Sequence, residues 1–261
     1  MSQPSAVVDT DALINETKIG RTQIFVGLLG ACALFVEGFD TSVIGYIAPQ
    51  ITRLWQVPND TLGTILTADM VGLLLGYLFV APLSARFGHK RMVAACTAAF
   101  GLMTFLTVSS TDVAMLIGFR FLTGIGVGGA MPSAVALTGE YFPERVRSTS
   151  ITLIYIGFSV GQIGAGVVAG LLLEPYSWHA VLAFGGIVTL ALAALFQFAL
   201  PESLEYLINR GNDRVRAVRI LARLAPQLAI SETTRLTAGQ QGGRKRSEEH
   251  TSELQSLAYL V

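Results

Sequence analysis

Two acidic residues lie in the middle of an apolar stretch of the sequence. The segment LFVEGFDTSVIGYIA (residues 34–48) contains Glu37 and Asp40, and the apolar run around it begins near Ile24. Residues three apart in a helix lie on one face, and a charged side chain near the centre of a membrane helix costs about 2.5–3.5 kcal/mol. Such residues mark functional sites by default. We therefore expect this face to look into a helix bundle or a water-filled cavity and not at lipid.

The composition is that of a membrane protein. Of the 261 residues, 52% are hydrophobic and 14% are charged, whereas a soluble domain contains about 25% charged residues. A helix needs about 20 apolar residues to cross the hydrocarbon core of a bilayer. The sequence predicts six such spans, at about residues 23–48, 61–83, 92–110, 113–138, 149–173 and 179–200.

Lysine and arginine residues set the expected orientation of these spans. They lie before span one, between spans two and three, between spans four and five, and after span six, whereas the alternate loops contain only Arg53. The positive-inside rule then predicts a multi-pass protein of the inner membrane with both chain ends in the cytoplasm. The formal net charge is zero, so nothing in the composition indicates a nucleic-acid partner.

Two further charged residues are predicted to lie at the depth of Asp40. Counting about 1.5 Å per residue from the outer ends of the spans, Asp40 and Asp69 lie about 12 Å deep, Arg120 lies about 10 Å deep, and Glu37 lies one turn deeper. A cluster of opposite charges is the least costly way to hold such residues in a membrane. The spacing therefore predicts a cluster, which is either a functional site or a purely structural ion pair.

Charged residues also gather at the predicted cytoplasmic side. The turns APLSARFGHKR (81–91) and GEYFPERVR (139–147) join spans two to three and four to five. Glu140 could pair with Arg86 or Arg91 across the bundle; the alternative is that these charges are simply solvated. We predict a cytoplasmic gate formed by Arg86, Gly88, Lys90, Arg91, Glu140, Arg145 and Arg147.

No catalytic or metal-binding pattern is recognised in the sequence. The three histidines are scattered among loops and the tail, which does not suit a metal site. The glycines at 124–129 match a dinucleotide-binding pattern, but they lie within a span and not after a strand. Cys32 and Cys96 also fall within spans and are expected to be apolar filler. We expect no enzyme activity, no cofactor and no metal.

The chain after span six is predicted to be cytoplasmic. Pro201 can open a helix and Gly211 can close it. Residues 212–224 come next, with apolar residues on one face and arginines on the other, which predicts an amphipathic helix on the membrane surface. RSEEHTSELQS (246–256) resembles a translated sequencing-library adapter. We therefore expect residues 246–261 to be a non-native tail and the natural protein to be longer.

These motifs together resemble the major facilitator superfamily. PLSARFGHKR (82–91) is similar to its signature G-x-L-A-D-R-x-G-R-R/K, and the segments 120–148 and 200–203 fit the later helices and the central loop of that fold. The most similar branch is that of the aromatic acid:proton symporters, which carry D-G-x-D in span one, R-F-L-T-G-x-G-x-G in span four and A-L-x-x-E-Y-x-P after it. The counterparts here are EGFD (37–40), Arg120 and Glu140.

Three departures from the family pattern bear on function. Glu37 replaces an aspartate, and Ala81 and Ala85 replace the glycine and aspartate of the loop signature. That aspartate helps to lock the cytoplasmic gate in the family. Asp69 lies where the family has a small neutral residue, which alters the expected substrate site.

The resemblance, which covers about residues 12–225, implies an all-α membrane fold of twelve helices in two six-helix halves, with substrate held between them. This chain would supply the N-terminal bundle and lack the second half. Its expected parts are a cytoplasmic N-terminus (1–22), the six-helix bundle (23–200), the start of the central loop with an amphipathic helix (201–245) and the tail (246–261).

The resemblance also implies proton-coupled uptake of a small aromatic carboxylate such as hydroxybenzoate or protocatechuate. Glu37 and Asp40 would carry the proton, and Arg120 and Asp69 would line the substrate site. The alternatives are an aliphatic acid, a sugar or a drug as solute, export in place of uptake, or a non-transporting module such as a sensor or a self-associating half-bundle.

Overall fold

The computed structural model describes residues 7–56, 58–209, 214–224 and 235–237. The chain is almost wholly helical in these ranges. The predicted helix end at Gly211, most of residues 225–245 of the expected central loop and the tail 246–261 lie outside these ranges.

Long helices account for the body of the molecule, and shorter ones cover one end. The helices are α1 (Thr10–Glu16), α2 (Arg21–Trp55), α3 (Asn59–Leu75), α4 (Ser84–Phe87), α5 (His89–Thr107), α6 (Val113–Tyr141), α7 (Glu144–Tyr176), α8 (Trp178–Ala199), α9 (Leu204–Asn209) and α10 (Arg214–Leu224). A π-helical turn (Gly76–Val80) and a 3-10 turn (Ala81–Leu83) join α3 to α4. Two three-residue strands, β1 (Val7–Asp9) and β2 (Arg235–Thr237), pair in parallel.

Six of these helical segments lie where the sequence predicts spans. Among the described residues, α2, Thr61–Phe87, α6, α7 and α8 are long and apolar enough to cross a membrane. The remaining one, α5, has 19 residues, about 28 Å of helix, which is close to the thickness of the hydrocarbon core. It begins with His89, Lys90 and Arg91, and these lower its mean hydropathy.

Two predicted connections are helical instead. The segment 49–60, expected to be a loop, continues α2 through Pro49 to Trp55, and the helix ends only at Gln56, whose φ of 51° is left-handed. The expected turn 81–91 is helical up to Phe87. Gly88 alone breaks it, with φ 93° and ψ 141°, a conformation that glycine adopts without strain.

Glycines allow two pairs of helices to pack backbone to backbone. A Cβ at Gly38 of α2 would overlap the carbonyl of Phe158 in α7, and one at Gly161 would overlap the carbonyl of Phe35. Gly72 and Gly124 make the equivalent contacts between α3 and α6. Small residues permit such approach in membranes. These contacts fix α2 and α6, the helices that carry Asp40 and Arg120.

The short helices α1, α9 and α10 form a layer over one end of α2 and α6. The apolar face of α10 is buried through Ala217, Val218 and Leu221, and it packs in one cluster with Leu13 and Leu207. The expectation that this face lies on lipid is therefore wrong, because protein side chains already cover it. Arg219 on the opposite face is exposed, as the amphipathic pattern predicts.

The start of α9 also differs from expectation. The helix begins at Leu204, not at Pro201. Ser203 precedes it, and its Oγ accepts the N–H of Tyr206 at 3.1 Å. Serine is a preferred residue at this capping position because its side-chain oxygen satisfies a free backbone N–H.

Candidate functional site

The centre of the bundle contains a buried ion pair. Arg120 Nη1 of α6 donates to Asp40 Oδ2 of α2 at 3.1 Å. Arg120 is fully buried and Asp40 is 2% exposed. Asp112 fixes the start of α6 by accepting the N–H of Met115, which sets Arg120 two turns into the helix. Breaking a buried pair by removing one partner costs about 3–5 kcal/mol.

Three threonines also accept hydrogen bonds from the guanidinium, whose Nε atom is buried and has no hydrogen-bond partner among the described residues. Arg120 Nη2 donates to the hydroxyl oxygens of Thr104 and Thr123, both at 3.1 Å, and more weakly to that of Thr107 at 3.5 Å. The Thr104 hydroxyl also donates to Asp40 Oδ1 at 2.5 Å. The pair is therefore bridged by a side chain from α5 as well as by its own direct contact.

Glu37 lies one turn from Asp40 and is isolated. Its side chain is fully buried, and neither carboxyl oxygen has a hydrogen-bond partner within the part of the chain that the structure describes. Tyr77 and Cys96 lie within reach of its charge. Tyr77 itself donates its hydroxyl to the sulfur of Met131 at 3.0 Å. A buried carboxyl group without partners is costly when ionised.

Asp69 of α3 lies beside the ion pair. Its charge interacts with both Asp40 and Arg120, and its backbone packs on Gly124 of α6. The side chain is partly exposed. Its Oδ1 atom is buried and has no hydrogen-bond partner in the described ranges. The structure thus brings Asp40, Asp69 and Arg120 together, with Glu37 one turn away.

The acids do not face an open cavity. Glu37, Asp40 and Arg120 are each at most 2% exposed, so of the two expected surroundings for this face the structure shows the interior of the helix bundle. The physical reason is that α5 and α6 cover the face and supply hydroxyl groups and an opposite charge. These contacts stabilise the charges of Asp40 and Arg120.

Glu140 has partners other than the predicted arginines. Its Oε1 lies 3.4 Å from His89 Nε2 and accepts the Ser203 hydroxyl at 2.9 Å. Its Oε2 accepts the N–H of Leu204 at 2.9 Å. The suggested pairing with Arg86 or Arg91 is therefore wrong, because the turn before α9 and the start of α5 reach Glu140 first.

Arg86 has no acidic partner in the described residues. Its guanidinium lies 5.6 Å from the ring centroid of Phe87. Ala85, which replaces the family aspartate, lines a cleft of about 190 Å³ at this end of the bundle. The other lining residues are Ser84, His89, Ser203, Glu205, Tyr206 and Asn209.

A second carboxylate, Glu202, lies at the start of α5. A Cβ at Gly88 would lie 2.8 Å from Glu202 Oε1, which places the carboxylate against the helix N-terminus. Burial raises the pKa of Glu202, while hydrogen bonds from the backbone of Ser203 and Lys90 and the charges of Arg91 and Lys90 lower it in part.

The two remaining gate candidates bind backbone carbonyls. Arg145 donates to the carbonyls of Asn15 at 2.9 Å and Thr17 at 2.5 Å, which ties the end of α1 and the residue after it to the start of α7. Arg147 donates from Nε to the carbonyl of Phe142 at 3.4 Å. The contacts of Arg145 hold the N-terminal part of this layer to the bundle.

The threonines are the site residues that sequence reasoning missed. Thr104 and Thr107 are three apart in α5, and Thr123 is three after Arg120. The repeated spacing of three near an intramembrane arginine is the signal that could have identified them, because such residues share one helix face. Within the described ranges, the structure groups no three His, Cys, Asp or Glu side chains in a way that could hold a metal ion.

Comparisons with known proteins show the family to which this chain belongs. The sequence pattern of the Major Facilitator Superfamily matches residues 30–230, and the chain belongs to this superfamily. Its fold is similar to that of the xylose transporter XylE from E. coli, with a TM-score of 0.67 and 20% identity, over 80% of this chain and 56% of that one. The predicted all-α, six-helix N-terminal half of this fold is confirmed.

Two curated relatives have names that specify a transported solute. The chain is 38% identical to the 4-hydroxybenzoate transporter PcaK of Pseudomonas aeruginosa and 32% identical to a gallate transporter of Pseudomonas putida. The alignments cover 87% and 90% of this chain but 51% and 52% of the relatives. The chain thus spans about half the length of the curated relatives it matches.

Proposed function

We propose that the chain is part of a secondary active transporter that takes up small aromatic carboxylates together with protons across the inner membrane. The observation that carries the proposal is the buried pair of Asp40 and Arg120 at 3.1 Å. Relatives named as 4-hydroxybenzoate and gallate transporters support the substrate class. An arginine suits it because the guanidinium geometry matches a carboxylate.

Coupling follows from competition for Arg120. A substrate carboxylate that binds Nη1 displaces Asp40, which is then a buried anion without its counter-ion. Binding a proton removes that charge and its cost. Substrate and proton therefore favour each other's binding, and this reciprocity is the thermodynamic basis of symport.

Glu37 is the second proposed proton site. Its carboxyl group is fully buried and has no hydrogen-bond partner in the described part of the chain, and it lies one turn from Asp40. A proton that leaves one acid has the other within a short distance along the same helix face. Asp69, which is partly exposed beside the pair, is proposed to line the substrate site with Arg120.

The cytoplasmic ends of the helices are proposed to form a gate, with both chain ends on that side. Glu140 and Glu202 link the turn before α9 to the start of α5, and Arg145 links the N-terminal segment to α7. The proposed gate residues are Arg86, Gly88, Lys90, Arg91, Glu140, Arg145 and Arg147. The division into N-terminal segment, bundle, central loop and non-native tail is likewise a proposal.

We propose that a second six-helix half packs against α3 and α7. Only 17% of the most apolar stretch is buried in α7 and in the segment Thr61–Phe87, which contains most of α3, against 56% for α2. Expression of residues 1–245 alone tests this partner. We expect insertion without uptake, since transport in this fold needs two halves that move around a central site. Saturable uptake that Asp40→Asn abolishes would contradict the proposal.

The substrate class is tested by uptake of radiolabelled 4-hydroxybenzoate by the complete transporter, meaning this chain joined to its second half. We expect accumulation that collapses when the proton gradient is dissipated and that unlabelled benzoate-type acids inhibit. Aliphatic carboxylates and sugars serve as matched competitors. Inhibition by these and not by aromatic acids would overturn the substrate class, and accumulation without a proton gradient would overturn the coupling.

A further inference from the structure

The three threonines around Arg120 use their hydroxyl hydrogens in two ways. Thr107 donates to the carbonyl of Met103 at 2.8 Å, and Thr123 donates to that of Phe119 at 2.9 Å. Each of these bonds stays within the threonine's own helix, four residues back. Thr104 instead donates across to α2, to Asp40 Oδ1.

The chemistry of the partners fixes this arrangement. A guanidinium has only donors, so the oxygen of Thr104 must accept from Arg120 Nη2. An ionised carboxylate has only acceptors, so the hydrogen of the same hydroxyl must go to Asp40. Thr104 therefore stabilises the ionised form of Asp40. Hydrogen bonds to a charged group are among the stronger ones in proteins.

We propose that Thr104 is a positioning residue whose hydroxyl switches with the protonation of Asp40; the proposal rests on the proposed proton-coupled function. When Asp40 takes a proton, its O–H donates to the Thr104 oxygen. The Thr104 hydrogen then turns to the carbonyl of Phe100, four residues back in α5. This is the bond that Thr107 and Thr123 already make with their own helices.

The switch leaves the Arg120 guanidinium in place but frees its Nη1 donor. Nη2 stays held by the three threonine oxygens. Nη1, which contacts Asp40 in the ionised state, loses its charged acceptor and becomes available to a substrate carboxylate. One proton on Asp40 thus converts a closed ion pair into an open anion site without moving the arginine.

Among the residues that the structure describes, three other charged side chains face Asp40. They are Arg120 from α6, Asp69 from α3 and Glu37 on its own helix. The segments of α7 and α8 that pack on this part of α2 contribute apolar or small residues, among them Phe158, Gly161 and Gly185. From α5, the polar contact to Asp40 is the Thr104 hydroxyl. Its removal is therefore a clean perturbation of the hydrogen bonding of Asp40.

The test is an infrared pH titration of the full chain in lipid vesicles. The absorption of the protonated Asp40 carboxyl group is isolated by subtracting the spectrum of Asp40→Asn. We expect Thr104→Val to move the midpoint to higher pH by about one unit or more, a tenfold gain in proton affinity, because the ionised form loses a charge-assisted hydrogen bond. Thr104→Ser keeps the parental midpoint, and Thr104→Cys, with its weak S–H donor, falls between.

Thr107→Val is the matched control, because Thr107 contacts Arg120 but not Asp40. We expect the titration midpoint measured for Thr107→Val to equal that of the parent protein. A parental midpoint for Thr104→Val, or an equal shift for Thr107→Val, would overturn the proposal. If Thr104→Val does not insert, Thr104→Cys gives the same comparison. The titration needs no substrate, so its outcome does not depend on uptake. A complete transporter that does not take up aromatic acids would overturn the proposed function. The titration would still decide the role of Thr104.

Discussion

The Asp40 carboxylate and the Arg120 guanidinium meet at 3.1 Å although 80 residues separate them in the chain. They lie on α2 and α6, and close glycine contacts hold α2 against α7 and α6 against α3. The pair is buried and is bridged by Thr104 of α5. Asp40 on α2, Arg120 on α6 and Thr104 on α5 are therefore linked through one ion pair. Protonation of Asp40 changes the contacts of all three residues.

Arg120→Lys tests the role of the guanidinium. A lysine keeps the charge but presents a compact ammonium group with three donors, which cannot reach Asp40 and the three threonine oxygens together. We expect the affinity for 4-hydroxybenzoate to fall at least about tenfold while the protein still inserts. The measurement is equilibrium binding to the complete transporter, with insertion checked by protease accessibility. Parental affinity would make Arg120 a structural counter-ion only.

Asp69→Cys tests whether α3 lines the substrate site. In a background without Cys32 and Cys96, we expect the new thiol to react with a water-soluble reagent, since the position is partly exposed beside the ion pair. Bound substrate is expected to slow the reaction. A thiol that reacts with no aqueous reagent, with or without substrate, would remove Asp69 from the site.

Glu202→Gln tests the carboxylate at the start of α5. Burial raises the pKa of Glu202 above its usual 4.5, so the folded state binds the proton more tightly than the unfolded state does. The resulting stability is fully present below about pH 4.5 and is lost as pH rises through the raised pKa. We expect Glu202→Gln to remove this part of the pH dependence of Tm. The exposed Glu205→Gln is the control, and an unchanged pH profile in Glu202→Gln would contradict the assignment.

Ser177→Gly tests a strained turn between α7 and α8. Ser177 has φ 78° and ψ 172°, a region that is essentially restricted to glycine and costs other residues about 1–3 kcal/mol. We expect the substitution to raise Tm, with a net gain of about 1 kcal/mol after the extra unfolded-state entropy of glycine. Ser177→Ala removes the hydroxyl contact to His179 but keeps the strain, so it should not stabilise. Equal Tm changes in both variants would contradict this account.

Hydropathy and charge were enough to predict the helices and the grouping of Asp40, Asp69 and Arg120. The pattern could not show that α2 continues through Pro49 to Trp55, because proline and polar residues are as typical of a loop as of a helix end. It also could not show that Gly88 alone separates α4 from α5. These outcomes depend on packing that local sequence does not encode.

Only part of the site could be predicted from the sequence, because the contacts of its other residues depend on how the helices pack. Glu37, Asp40, Asp69 and Arg120 are conspicuous because charges are rare in spans, whereas threonine is common there. Nothing in the sequence indicates which face of α5 meets α6, so the role of Thr104 depends on the folded arrangement. The burial of α10 on Leu13 and Leu207 was likewise hidden, since its pattern suits lipid and protein surfaces equally.

Asp40 is proposed to carry the coupled proton. The most direct test measures proton-driven accumulation of 4-hydroxybenzoate by the variants Asp40→Asn and Glu37→Asp of the complete transporter. We expect Asp40→Asn to abolish accumulation, because asparagine cannot exchange a proton. Glu37→Asp should retain much of it, because this change restores the aspartate that the family carries and keeps the charge. Wild-type accumulation by Asp40→Asn, with unchanged dependence on the proton gradient, would contradict the account.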